Sequence, residues 1–167
     1  FSRLLKRYDL HLPRTDRKTV VGAGKRLRTC RFCHRTANEA PFKKAAHVIP
    51  TALGNDHLKS AEECDDCNEY FGKETEPSLI AMLDPQRVFL GTQGRGSNNG
   101  RPKLSFGRDT LMNDGKKVII QAQDVVEADD GALEVTLGSG TRLIPVAAYR
   151  ALVKVAIAVV DEEHLPD

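Results

Sequence analysis

The chain has 167 residues, with 25 Lys and Arg against 23 Asp and Glu and a formal net charge of +2. At 40% hydrophobic and 29% charged it reads as globular, long enough to bury a core and too short for several large domains. No apolar run reaches the roughly 18–20 residues of a membrane helix, so no membrane partner is expected. The small net charge hides a split: residues 1–44 carry +10, residues 45–84 carry −7 and residues 85–167 carry −1. A basic block beside an acidic one suits a polyanion on one side and a cation on the other, or else two solvated faces.

In chain order, residues 1–29 form a basic N-terminal arm in which Ser2–Tyr8 could make a short helix, broken up by Pro13 and by Gly22-Ala23-Gly24. Phe42 to Ile49 is apolar and β-branched and leads into Pro50, which predicts a short strand. Residues 52–56 are turn-rich. A helix is expected from Asp65, as N-cap, to about Gly72. A second helix is expected to start near Pro77 and to stop before Pro85.

Gly91 to Gly100 reads as a flexible loop, and β-type runs follow at Lys103–Phe106, Lys117–Ala122 and Ala132–Leu137. Asn113-Asp114-Gly115 and Asp129-Asp130-Gly131 are suited to hairpin turns between them. Pro145 opens a long helix, 146–160, whose only charges, Arg150 and Lys154, lie i, i+4 on one stripe. So apolar a helix needs burial on most sides, and an interface with a second copy or a further domain is one way to supply it.

The four cysteines fall as two pairs, Cys30-Arg31-Phe32-Cys33 and Cys64-Asp65-Asp66-Cys67, separated by 30 residues. Each pair puts two thiolates on a tight turn, and two such turns complete the tetrahedral shell of a structural Zn²⁺ site. No secretory pattern precedes them, and a cytoplasmic location is expected. Zinc held by four protein ligands staples loops and does no chemistry. The insert holds His47, which on an apolar strand is by default a satisfied half-buried residue. Its company is Asn55, Asp56 and His57, with Asn68 directly after the second pair. Together these are parts able to hold a hydrated cation and a general base near a phosphodiester.

The ordered series CRFC, AHVIP, LGN and ECDDCNEYFG, over residues 30–84, resembles the HNH endonuclease family of the ββα-metal fold. It is closest to the subgroup with cysteine pairs before and after the strand histidine. VAAYRALVKVA is similar to a segment that often follows this subgroup's module. The resemblance implies an α+β chain: a ββα-metal (HNH) module stapled by a Cys₄ zinc site, with a C-terminal extension, 85–167, of β-hairpin and helix. It implies that Cys30, Cys33, Cys64 and Cys67 hold structural zinc and that His47 is the general base. It further implies that Asn55 steadies the histidine's loop and that Asn68 binds a catalytic divalent cation, Mg²⁺ or Mn²⁺. His57 stays open as a second ligand, a phosphate contact or a surface histidine.

The substrate so implied is DNA, and the subgroup is common in bacteria, often in restriction and defence settings. Arg26, Arg28, Arg31, Arg35, Lys43 and Lys44 flank the first cysteine turn and the histidine strand, where they could neutralise phosphates. The alternative is a solvated basic face. Aromatic residues are too sparse there for a single-strand stacking platform. The acidic run Glu62, Glu63, Asp65, Asp66 and Glu69 is expected to face away from DNA or to surround the zinc turn. One position departs from the family pattern: the residue before the motif histidine is usually an acidic metal ligand, and here it is Ala46. That leaves two rivals to a working nuclease, a catalytically degenerate zinc-stabilised nucleic-acid-binding module and an assembly subunit using helix 146–160.

Overall fold

The computed structural model describes residues 17–24, 27–94, 100–138, 140, 142–161 and 164. The proposed helix at Ser2–Tyr8, residues 95–99 of the Gly91–Gly100 loop and Arg26 lie outside them. The architecture is α+β, as expected. A three-stranded sheet has β3 (Leu58–Ser60) at its centre, parallel to β1 (Thr19–Val21) and antiparallel to β2 (Ala46–His47). Between β2 and β3 the chain makes a short 3₁₀ turn, Thr51–Leu53, closed by Gly54 at φ 89°, a left-handed conformation that glycine adopts without penalty. Two helices follow, α1 (Asp65–Glu74) and α2 (Glu76–Leu90).

The strand predicted over Phe42–Ile49 is paired only at Ala46–His47, and the physical reason lies at Asp65. Its carboxylate accepts the backbone N–H groups of Lys43 and Lys44 at 2.9 and 2.8 Å, which removes them from any ladder. Asp65 therefore does not cap α1: Cys64 occupies the N-cap, and Asp65 and Asp66 sit in the first turn, favourably placed in the helix dipole. The second helix does not stop before Pro85 but runs through it to Leu90. Pro85 lacks the N–H that would bond one turn back, a cost of about 3 kcal/mol. Packing beyond it compensates: Val88 is buried with Leu104 and Leu111, and the Asn113 amide donates to the Val88 carbonyl at 2.8 Å.

The region after residue 100 holds five strands where three were expected. β4 (Lys103–Phe106), β5 (Asp109–Asn113) and β6 (Val118–Gln121) form an antiparallel meander, with the Asn113–Gly115 turn joining β5 to β6. β7 (Asp124–Glu127) and β8 (Leu133–Thr136) form a separate hairpin across the Asp129–Gly131 turn. Asp109 holds both ends of that hairpin, accepting the N–H groups of Gln123 and Gly138 at 3.0 and 3.1 Å.

The long helix, α3 (Pro145–Val159), packs along α2 and back onto the first sheet. Its Ala158 is wholly buried with Val48 and Leu58, and Val155 and Val159 close around them. The charged stripe does not face solvent as a unit. Arg150 is exposed, while Lys154 is among the most buried side chains in the molecule at 1% exposure, and Val146, Tyr149 and Leu152 are left at the surface.

Candidate functional site

The two cysteine pairs meet at one end of the sheet, where the start of β2 lies beside the end of β3. Cys30 and Cys33 lie on a turn before β2, and Cys64 and Cys67 on the entry to α1. Their four sulfur atoms lie within 4.8 Å of one another. Cys33 Sγ is 3.7 Å from Cys64 Sγ. Tetrahedral Zn–S bonds of about 2.3 Å place sulfurs about 3.8 Å apart, so the cluster fits Zn²⁺. Burial raises the Cys33 thiol, but hydrogen bonds from the Arg35 guanidinium and backbone, joined by Cys30 and Cys64, outweigh it and bring it to about 6. Burial pushes the Cys30 and Cys67 thiols up.

His47 is half-buried at the end of β2, paired with Lys59. The loop after it is gathered by Asn55. Its amide nitrogen donates to the carbonyls of Ile49 and Leu58, both at 2.8 Å, and its oxygen accepts the Leu58 N–H at 2.9 Å. A single buried side chain thus fastens the two ends of the β2–β3 connection. Asn68 is half-buried in α1, and its backbone N–H bonds the Cys64 carbonyl at 2.9 Å. His57 is exposed on the loop before β3.

Ala46 is completely buried and offers no ligand atom. Among the described residues the four cysteines form the one group of three or more His, Cys, Asp or Glu side chains placed to share an ion.

The basic residues divide into two groups. Arg28, Lys43 and Lys44 are exposed. The Arg31 side chain is only 8% exposed, bonded through Nε to Glu62 at 2.6 Å, while its Nη1 donates to the Ile157 and Val160 carbonyls at the end of α3. Arg35 donates to Cys33 Sγ at 3.4 Å and to Asp66 at 2.8 Å.

Sequence reasoning did not find a further group beneath β2. Lys154 Nζ donates to the His47 carbonyl at 2.6 Å and to Glu76 Oε1 at 3.1 Å, and lies 3.4 Å from Glu63 Oε2. Burial drives the Glu63 carboxyl up to about 7 against the pull of Lys154. The available signal was a lone lysine on an otherwise apolar helix.

Two strands leading into a helix, with a four-thiol cluster at the helix start and a histidine on the first strand, define a zinc-stapled ββα domain. Residues 30–84, about a third of the chain, match the family model of the HNH endonucleases. No curated protein and no solved structure matches the chain. Among the described residues no helix is long and apolar enough to cross a membrane.

Proposed function

We propose that the chain is a metal-dependent endonuclease hydrolysing phosphodiester bonds in DNA, with His47 as general base. The observation that carries this reading is the match over residues 30–84, which includes His47, Asn55, Asn68 and all four cysteines. The His47 imidazole accepts the proton of a water as the water oxygen attacks phosphorus and the bond to the leaving oxygen breaks. Asn55 keeps the loop behind the histidine from shifting. Asn68 would hold the divalent cation, Mg²⁺ or Mn²⁺, which when bound supplies positive charge to the phosphate and leaving oxygen. Among the described residues Arg28 and Lys43 are the side chains best placed to neutralise phosphates, because Arg31 is engaged inside the fold and Arg35 and Lys44 are paired with Asp66 and Glu69.

The complete burial of Ala46, where the family carries an acidic ligand, favours a second reading: a nucleic-acid-binding module that keeps the fold without turnover. Supercoiled plasmid with Mg²⁺ or Mn²⁺ separates the two. The chain is expected to relax or linearise it, and His47→Ala, at unchanged zinc content, to lose about 10²–10⁴-fold in rate. Cutting by both proteins, or by neither, removes the His47 assignment. Cutting gained only by Ala46→Asp identifies the degenerate module.

A further inference from the structure

Lys154 lies well beyond the segment that matches the nuclease family, yet its ammonium sits at the junction of three of that segment's parts. It donates to the carbonyls of His47, the last residue of β2, at 2.6 Å and of Val48 just after it at 3.3 Å, and to Glu76 at 3.1 Å at the start of α2. It is also 3.4 Å from Glu63, in the connection from β3 to α1, and 5.8 Å from the centre of the Phe71 ring. The side chains of Lys154 and Glu63 are 1% and 0% exposed. Among the described residues no conventional hydrogen bond reaches either Glu63 oxygen, so this carboxylate is answered chiefly by the ammonium.

Strand geometry explains why the His47 carbonyl needs such a partner. β2 is an edge strand, and antiparallel ladder bonds alternate between bonded and non-bonded pairs. The Val48 N–H bonds the Leu58 carbonyl at 3.2 Å, which puts His47 in the intervening non-bonded pair. Its carbonyl therefore turns away from β3, towards α3, where Lys154 meets it. Filling this space with an apolar side chain would be no less stable, because burying an ion pair is poor value for stability. What charge adds here is a fixed direction for one peptide group.

We propose that Lys154 is a positioning residue for His47: by holding the His47 carbonyl it sets the backbone from which the imidazole projects, so that α3 is a working part of the nuclease centre. The inference rests on the reading of His47 as general base.

The test compares the full chain with Lys154→Met and with the triple variant Lys154→Met, Glu63→Gln, Glu76→Gln, in which no buried charge is left alone. Zinc content, thermal unfolding, plasmid kcat and KM, and the NMR signals of the His47 ring are measured for each. In the triple variant, zinc content and unfolding are expected to stay close to those of the parent chain. Its kcat falls about 10²-fold with KM unchanged, the size of effect a misplacement of about 1 Å produces, and the ring signals shift. Parent-like kcat with unmoved ring signals overturns the proposal. So does loss of zinc or of folding in both variants, which would make Lys154 a stability element only. If the parent chain cuts nothing while the ring signals still respond, the nuclease reading fails and the positioning of His47 stands.

Discussion

Arg31 lies within the first cysteine turn and Arg35 just after it, and both are bonded to acidic residues of the second cysteine region. Arg31 joins Glu62 to the last carbonyls of α3, where a cation satisfies groups that a helix end leaves open. Arg35 lies against the thiol cluster, and its hydrogen bonds are what lower Cys33 to about 6 against its burial. Metal binding requires thiolates, so protons compete with zinc as pH falls through the ligand's pKa. Arg35→Ala raises the Cys33 thiol and moves zinc release to higher pH. A chromogenic chelator followed across a pH series measures the midpoint, and an unmoved midpoint would show that Arg35 does not tune the site. The charge of both arginines was evident in the sequence. Their destinations were not, because Glu62 and Asp66, the acids that pair with them, each lie 31 residues away along the chain.

At the scale of elements, α3 is the piece whose role changed most between sequence and structure. Its alanines at 148, 151 and 158 are buried, and small side chains there let the helix lie close to α2 and to the sheet. Ala158→Leu forces extra methylenes into the wholly buried cluster with Val48 and Leu58. It is expected to cost about 1–3 kcal/mol in urea unfolding. Leu152→Ser, on the exposed side of the same helix, should stay within about 0.5 kcal/mol of the parent. Equal effects from the two would contradict the placement of the helix.

The limits of α3, the cysteine pairs and the start of α1 were legible because local signals set them: a proline, a paired spacing, two acids at a helix start. β1 and β3 were missed because they are three residues each and exist only through pairing with distant chain. The continuation of α2 past Pro85 was missed because tertiary burial of Val88 outweighed a local rule. The burial of Lys154 was illegible for the same reason, since Glu76 and Glu63 reach it only in the folded chain.

Among the described residues, part of the +10 block is answered by the −7 block. Arg31 meets Glu62, Arg35 meets Asp66 and Lys44 meets Glu69, all across the region of the cysteine cluster. The acidic run thus lies around the cysteine turn and the start of α1. What remains for a polyanion is a smaller set, led by Arg28 and Lys43. If these contact phosphates, replacing each with alanine reduces the slope of log affinity against log salt by about 1, measured by fluorescence anisotropy on duplex DNA. Slopes equal to the parent's would place the DNA elsewhere on the surface.

The bond from Lys154 to His47 closes a loop of 107 residues. Contacts that distant form only once most of the intervening chain has been made and brought into order. A ribosome emits β2 and its histidine early, and the lysine that seats them far later. The nascent chain therefore carries the histidine without its tie through the synthesis of more than a hundred further residues, and β2 acquires its final geometry only once Lys154 has emerged.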